Sequence, residues 1–275
     1  METNQHTSVE EDLDFALMLV GIGERIAVSR FGSAPGGEDG ARLSMGAADR
    51  AIESTLARIV AEWRPDEGLL GEEFGLAHAD RQRRWIIDPI NGSESFAAGG
   101  DRWGVMVALE DAGVIQAAVM AAPQRGTWWY AGRGLGAFRN GERITVESSR
   151  SSLRISQRAA TLRDSDSLNP SIASQLESAE VVPDSEFWPE TLIAQGDLDV
   201  DASTSGRVWS MAPWSLLVEE AGGSFTDLNG NHRADAGHSL ASASPELHRH
   251  LLCEEAVTPG PDMVAPINAP SVAFG

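Results

Sequence analysis

The sequence contains no lysine, one cysteine and no apolar run of the roughly 20 residues that a membrane-spanning helix requires. All 21 basic residues are therefore arginine, which excludes lysine Schiff-base chemistry and the lysine of a phosphate-binding loop. The single cysteine, Cys253, excludes an internal disulfide and a thiolate metal cluster, in keeping with a reducing compartment. The formal net charge of -20 argues against nucleic acid or an anionic membrane as partner, because phosphate contacts need clustered cations.

The bulk composition is that of a globular protein. The 275 residues are enough to bury a large core, and 42% of them are hydrophobic while 23% are charged. The first six residues are polar and acidic rather than basic and then apolar. We therefore expect no signal peptide and a cytoplasmic location.

Hydrophobic periodicity divides the chain into two halves. Residues 8–30 and 47–63 have helical spacing, whereas residues 104–141 contain short strands joined by short turns, which predicts an antiparallel sheet. A Ser- and Arg-rich stretch at 148–170 separates this half from helices predicted near 170–178 and 210–221.

We therefore predict an N-terminal α+β domain at 1–147 and a C-terminal α/β domain at 148–255. The Pro-rich residues 256–275 are expected to form an extended or disordered tail. His248 and His250, near the end of the second domain, are expected on the surface of the last helix.

One stretch, Arg84–Phe96, joins a buried-strand pattern to polar turn chemistry. Trp85 to Ile87 predict a core strand with Asp88 at its carboxyl end, and Pro89 is expected to end the ladder. Residues 91–93, Asn-Gly-Ser, then predict a turn that caps a helix. Backbone amides at such a turn can hold an anion and a nearby carboxylate a hard cation, which suits a phosphate with its metal. An ordinary capped strand-to-helix turn is the alternative.

Six motifs, taken in order, resemble those of the inositol monophosphatase superfamily and are most similar to its histidinol-phosphate phosphatase-like members. They are Ala48-Asp49-Arg50, Gly71-Glu72-Glu73-Phe74-Gly75, the stretch Arg84–Phe96, Gly134 to Gly141, Val208-Trp209-Ser210-Met211-Ala212-Pro213, and Glu219 to Asp227. The resemblance implies a layered α-β-α-β-α sandwich, a small-molecule substrate and a homodimer. It is more specific for the fold than for the activity.

The resemblance also implies a magnesium-dependent phosphatase site. Family enzymes hold two or three magnesium ions between carboxylates, and the physics requires dense negative charge around oxygen ligands. By motif, the first ion would be held by Glu72, Asp88 and the carbonyl of Ile90. Asp49 and Ser93 would orient the attacking water.

The second metal position departs from the family pattern. Two of its expected aspartates are replaced by Asn91 and Ser210, which bring no charge, so at most one metal site is predicted. Asn and Ser are good helix caps, so Ser210 is expected to cap helix 210–221 and Asn91 to hold the turn before Ser93. The anion site formed by Asn91, Gly92 and Ser93 would then survive the loss of ligands.

Three functions follow from this degenerate site. In the first, Asp49, Glu72 and Asp88 lie close together, one of them has a raised pKa, and the chain carries out acid/base chemistry on a small, anionic metabolite in specialised metabolism. In the second, the chain is a phosphomonoester phosphatase that uses a single magnesium ion. In the third, it is a non-catalytic binding protein. The predicted cofactor is none or one magnesium.

The substrate pocket is expected near residues 185–189, where the family commonly has Gly-Asp-Phe-Trp. Here Glu186, Phe187 and Trp188 are candidate pocket residues, and Ser203 is a further candidate. Core packing explains the two aromatic residues equally well.

Overall fold

The structure is a computed structural model that describes residues 7–32, 38–78, 80–146, 152–165, 167–185 and 187–252, with backbone only for residues 38–44. Glu186, Cys253 and the predicted tail lie outside these residues. The described helices are α1 (Val9–Arg30), α2 (Glu38–Trp63), α3 (Ser93–Ala97), α4 (Gln157–Arg163), α5 (Pro170–Gln175), α6 (Pro189–Ala194), α7 (Val208–Glu220) and α8 (Pro245–Leu252). None of them is both long enough and apolar enough to cross a membrane.

An eight-stranded sheet in the described part of the chain positions the candidate site. Its strands are β1 (Gly68–Gly71), β2 (Gly75–Ala77), β3 (Arg83–Asn91), β4 (Gly104–Asp111), β5 (Val114–Ala122), β6 (Thr127–Gly132), β7 (Gly136–Arg139) and β8 (Glu142–Ile144). They lie in the order β2-β1-β3-β4-β5-β6-β7-β8. The β4 to β7 part is the predicted antiparallel sheet, whereas β1 and β3 run parallel.

A second, five-stranded sheet is built by the later part of the chain. Its strands are β9 (Arg154–Ile155), β10 (Glu180–Val181), β11 (Val200–Ser203), β12 (Ser224–Thr226) and β13 (Ser239–Ser242), in the order β10-β9-β11-β13-β12. The predicted division into two domains at 147/148 stays a prediction.

Three apolar clusters arrange these elements in five layers. Helices α1 and α2 cover one face of the eight-stranded sheet, α6 and α7 pack between the two sheets, and α4, α5 and α8 cover the outer face of the second sheet. Because side chains alternate along a strand, Trp85 and Ile87 face α1 and α2, and Ile86 faces α7. The α-β-α-β-α sandwich is therefore confirmed.

Two local expectations about helices were wrong. Helix α2 begins at Glu38 rather than at residue 47, where the helical spacing was predicted to start, so Asp49 lies in the middle of the helix and not in its first turn. No proline lies between Glu38 and Asp49, and the helix therefore continues through Gly40 and Gly46. His248 is buried rather than on the surface. Both of its ring nitrogens have hydrogen-bond partners there, Thr226 Oγ1 at 2.8 Å and Ser242 Oγ at 2.9 Å.

Pro89 does not end β3. The strand continues to Asn91, and its regular pairing with β4 is interrupted between Asp88 and Asn91 before it resumes at Asn91 and Gly104. Proline cannot donate to the ladder, so the chain forms a bulge there instead of stopping. The bulge lies directly beside Asp88.

Candidate active site

The parallel pair β1 and β3 brings two predicted carboxylates together. Gly71 and Ile87 are register partners, and the next residue of each strand is Glu72 and Asp88, respectively. The ends of adjacent parallel strands meet at one edge of a sheet. The Glu72 and Asp88 carboxyl groups consequently lie within hydrogen-bonding reach of each other.

Helix α2 supplies two further acids to this edge. Asp49 is 5% exposed, and its Oδ1 is buried without a hydrogen-bond partner among the described residues. One helical turn later, Glu53 is fully buried and accepts hydrogen bonds from the backbone N–H groups of Glu73 (2.7 Å) and Phe74 (2.8 Å). Glu53 therefore fixes the turn that carries Glu72.

Gly71 is required by this contact. A Cβ atom at Gly71 would lie 1.9 Å from Glu53 Oε1, so any larger residue would displace the buried carboxylate. The sequence reasoning missed Glu53. Its spacing of four residues from Asp49, which places both side chains on one helix face, is the signal that could have found it.

Asp88 is 1% exposed and forms hydrogen bonds through one oxygen to the two residues that replace the expected aspartates. Asn91 Nδ2 and Ser210 Oγ donate to Asp88 Oδ2 at 2.9 and 2.8 Å, and Asn91 Nδ2 also lies 3.0 Å from Ser210 Oγ. Asp88 Oδ1, by contrast, is buried and has no partner among the described residues. The two oxygens of one carboxylate thus have opposite surroundings.

Trp188 fixes the orientation of the Asn91 amide. Its Nε1 donates to Asn91 Oδ1 at 2.7 Å, and an indole N–H can only donate. The amide oxygen must therefore face Trp188, which leaves the amide nitrogen toward Asp88. The polar turn, α7 and the segment before α6 are joined by this one network.

The expected capping roles of Asn91 and Ser210 were wrong. Helix α7 begins at Val208 with Arg207 as its N-cap residue, so Ser210 lies inside the helix and its hydroxyl is directed at Asp88. Gly92, not Asn91, is the N-cap residue of α3 and makes no side-chain cap. Its φ of 87°, with a Cβ position 2.2 Å from Arg102 O, requires glycine there.

Ser93 was predicted to orient the attacking water, and the Ile90 carbonyl was predicted to hold the first metal. A hydrogen bond joins the two residues. Ser93 is the first residue of α3, and its Oγ donates to the Ile90 carbonyl oxygen at 3.1 Å. A carbonyl oxygen has two lone pairs, so this bond leaves one of them available.

Burial and mutual repulsion raise the pKa of the clustered acids. Burial, followed by the charges of Glu72, Glu73 and Asp88, raises the pKa of Asp49 to about 8. Burial and the neighbouring Asp88 charge raise the pKa of the Glu72 carboxyl to about 7. Burial raises the pKa of Asp88 to about 6, against the lowering effect of the hydrogen bonds from Asn91 and Ser210. The group therefore shares protons near neutral pH unless a cation neutralises it.

The structure places one candidate pocket residue next to the site. Trp188 contacts Asn91, and its ring stacks on Phe187 with centroids 4.5 Å apart, while the Arg125 guanidinium lies 4.8 Å from the Phe187 centroid. Ser203 is buried and donates to Ser205 O at 2.6 Å, a local contact that does not include the carboxylates.

Comparisons with known proteins agree with this architecture. A model of the inositol monophosphatase family matches residues 19–258. A Chlorobaculum parvum protein named histidinol-phosphatase is 34% identical over 209 residues, which cover 74% of this chain and 80% of that protein. A Streptomyces griseus protein named glucose-1-phosphate thymidylyltransferase is 35% identical over 251 residues, covering 83% and 90%.

Solved structures show the same fold. An inositol monophosphatase from Zymomonas mobilis superposes with a TM-score of 0.71 at 20% identity, covering 90% of this chain and 98% of the other. The family predicted from the motifs is confirmed, and the chain belongs to the inositol monophosphatase family.

Proposed function

We propose that this chain hydrolyses the phosphate ester of a small metabolite with a single magnesium ion held by Glu72, Asp88 and the Ile90 carbonyl. The observation that carries the proposal is the asymmetry of Asp88. Its Oδ2 accepts two hydrogen bonds, while its Oδ1 is buried without a partner among the described residues, and the Glu72 carboxyl lies within hydrogen-bonding reach of the same carboxyl group. A buried carboxylate oxygen without a partner is unfavourable until a proton or a cation completes it.

Charge favours a cation at this position. The raised pKa values of Asp49, Glu72 and Asp88 mean that the three carboxyls can all ionise at neutral pH only when positive charge lies among them. Among the described residues, no group of three or more acidic, histidine or cysteine side chains meets the geometry of a metal site. Two carboxylates and one carbonyl nevertheless match the few protein ligands that magnesium commonly takes alongside its waters and a phosphate.

The polar network around Asn91 argues against a second ion. Both hydrogens that Asn91 and Ser210 direct at the site are donated to Asp88 Oδ2, and the amide oxygen of Asn91 accepts the Trp188 N–H. The Asn91 oxygen therefore faces Trp188, and the group that faces Asp88 is the amide nitrogen, which cannot bind a cation. Hydrogen-bond donors thus occupy the positions of the two expected aspartates. Two carboxylates at those positions would need a positive charge to stabilise them.

The residues around the cation position have assignable roles in hydrolysis. When bound, magnesium supplies Lewis acidity toward a phosphate oxygen. Asp49 accepts a proton from the attacking water, and Ser93, whose hydroxyl hydrogen is donated to Ile90 O, orients that water by accepting from it. The water oxygen bonds to phosphorus as the ester P–O bond breaks, and the leaving alkoxide takes a proton from solvent water. The backbone turn at Gly92 and Ser93 binds the anionic group.

The substrate is a phosphomonoester of a small polar metabolite. The names of two relatives, histidinol-phosphatase and glucose-1-phosphate thymidylyltransferase, both refer to a phosphate ester of a small molecule. Phe187, which is half-buried and stacks on the buried Trp188, is the aromatic ring against which an imidazole or sugar ring can pack.

A test measures phosphate release from histidinol phosphate, inositol phosphate and glucose 1-phosphate as magnesium is added to metal-free protein. We expect magnesium-dependent release that Asp88→Asn and Glu72→Gln each reduce at least about a hundredfold, as for lost transition-state stabilisation. Glu246→Gln removes an exposed acid in α8 and serves as the matched control. Calorimetry should give one magnesium per chain; two ions, or full activity of Asp88→Asn, would contradict the proposal.

Acid/base chemistry without a metal is the second candidate, favoured by the pKa of about 8 at Asp49. A buried acid whose pKa is raised to about 8 holds its proton at neutral pH and suits proton transfer to and from a substrate. This candidate predicts substrate conversion that chelator leaves unchanged and that Asp49→Asn abolishes. Loss of conversion in chelator supports the magnesium phosphatase instead.

A further inference from the structure

We propose that a cavity at the opposite end of β3 binds a small organic anion, with an apolar body and one carboxylate, phosphonate or phosphate group. The cavity has a volume of about 390 Å³ and lies between the β4–β5 hairpin, α7 and the loop at 232–235. One of its lining residues, Arg84, precedes Asp88 by four residues, so it lies about 13 Å from the carboxylate site along the strand.

The floor of the cavity is apolar. Ile115 and Phe225 are buried, and Val208 at the start of α7 completes the surface. A cavity of this size with an apolar floor and a few polar groups matches the usual form of small-molecule sites.

Three arginines converge on this cavity in a chain with a formal charge of -20. Each has a carboxylate partner: Arg84 with Glu110 at 2.9 Å, Arg133 with Glu219 at 2.7 Å, and Arg233 with Asp235 at 2.7 Å. The pairing leaves the lining near neutral, so an anion entering the cavity meets no net repulsion of the kind expected at the carboxylate site.

The guanidinium groups retain unused donors. A guanidinium has five N–H donors, and the Arg84 bond to Glu110 Oε2, made through Nη2, uses one of them. The remaining donors of this group can bind an anionic oxygen by charge-assisted hydrogen bonds. Arg84 is therefore the expected anchor for the anionic group, with the apolar body of the ligand over Phe225 and Ile115.

Fluorine NMR of two probes, 4-fluorophenylacetate and 4-fluorophenylphosphonate, tests the site in the full-length protein. The two probes separate carboxylate from phosphonate or phosphate recognition, and neither contains a hydrolysable phosphate ester. Neutral 4-fluorobenzyl alcohol controls for binding through the ring alone. We expect at least one anionic probe to bind and the alcohol to bind about tenfold more weakly or not at all.

Three variants test whether the probe binds in this cavity. Arg84→Gln should weaken binding about tenfold or more, because a hydrogen bond to a charged group is lost. Ala234→Trp, at a half-buried position of the lining loop, should block binding by filling the cavity even if Arg84→Gln folds poorly. Arg163→Gln is the control, since Arg163 pairs with Asp164 at 2.7 Å outside the cavity.

Each outcome decides the proposal. Anion binding that is lost in Arg84→Gln or Ala234→Trp and kept in Arg163→Gln supports it. It is overturned if neither anionic probe binds, if the alcohol binds as tightly as the anions, or if folded Ala234→Trp binds like the unmodified protein. None of these readouts depends on phosphatase activity, so the cavity and the proposed function are tested separately.

Discussion

Replacing Asn91 by aspartate should destabilise the metal-free protein and make its stability depend more strongly on magnesium than that of the unmodified protein. In the folded chain Asn91 Nδ2 lies 2.9 Å from Asp88 Oδ2 and 3.0 Å from Ser210 Oγ. The substitution puts a carboxylate oxygen where a hydrogen-bond donor now lies. Trp188 can still donate to the other oxygen, so the change alters the charge and little else.

The size of the effect follows from that distance. At an effective dielectric constant of about 20, two unit charges 2.9 Å apart repel by about 6 kcal/mol. One of the two carboxyls can avoid this repulsion by staying protonated, which costs about 1.4 kcal/mol for each pH unit above its ordinary pKa of about 4. The loss of stability cannot exceed that cost. The free energy of unfolding should therefore fall by about 5 kcal/mol at pH 8 and by about 3 kcal/mol at pH 6.

Urea unfolding in chelator, and again in millimolar magnesium, measures this change. We expect magnesium to restore most of the lost stability of Asn91→Asp, because a cation bound only to the folded state stabilises it by mass action. Asn169→Asp is the matched control. Asn169 is exposed and caps α5 through its Oδ1, an acceptor that aspartate keeps, so the free energy of unfolding should change by less than about 0.5 kcal/mol.

The reasoning is refuted if Asn91→Asp and Asn169→Asp are equally stable in chelator at pH 8. That result would mean that Asn91 does not contact Asp88. A large loss that is the same at pH 6 and pH 8, and that magnesium does not reverse, would also refute it, because the cause would then be packing rather than charge.

Three further changes test the same site. Gly71→Ala should lower the free energy of unfolding by about 1–3 kcal/mol in urea titrations, because its Cβ would lie 1.9 Å from Glu53 Oε1. Trp188→Phe removes the donor to Asn91 Oδ1 and should lower the free energy of unfolding by about 1–3 kcal/mol, because a buried acceptor loses its partner. In chelator, the stability of the unmodified protein should fall as pH rises toward 8. The pKa of Asp49 is raised from 3.8 to about 8, so the folded state binds more protons than the unfolded state across that range. Asp49→Asn should flatten this dependence of stability on pH.

Two of these changes have a control variant, and the pH prediction has an outcome that would contradict it. Gly46→Ala, in the same helix as Asp49 and near only the flexible Arg50 side chain, should be neutral or stabilise the fold. Trp63→Phe changes a tryptophan that is largely exposed and should leave stability unaltered. Stability that rises with pH from 5 to 8 in chelator would contradict the raised pKa of Asp49.

The sequence predicted the fold and the first pair of carboxylates well, because both depend on local patterns. The strand ending at Asp88 and the turn after Gly71 each have a motif of their own, and the layered fold followed from the family resemblance. The meeting of Glu72 and Asp88 required only that two short strands run parallel in register. Patterns of this kind can be recognised without knowing what lies across the fold.

The roles of Asn91 and Ser210 could not be predicted in the same way. Serine and asparagine are good caps in isolation, so a local interpretation assigns them to helix ends. Their actual partner is Asp88, and Ser210 is 122 positions from it in the chain. His248 shows the same limit, because its ring nitrogens bond to hydroxyls of two different strands, Thr226 in β12 and Ser242 in β13. Tertiary hydrogen bonds decide such residues, and spacing along the chain does not encode them.

The contact between Glu53 and the turn at Glu73 has a mechanical consequence for ligand entry. Glu53 and Asp49 belong to one helix, and Glu53 holds the backbone directly after Glu72, so the helix and the turn can shift only together. The separation between Asp49 and Glu72 is therefore insensitive to a displacement of α2. Any change of shape that admits a phosphate ester is therefore expected in residues outside this helix and turn, while the spacing of the acids stays the same.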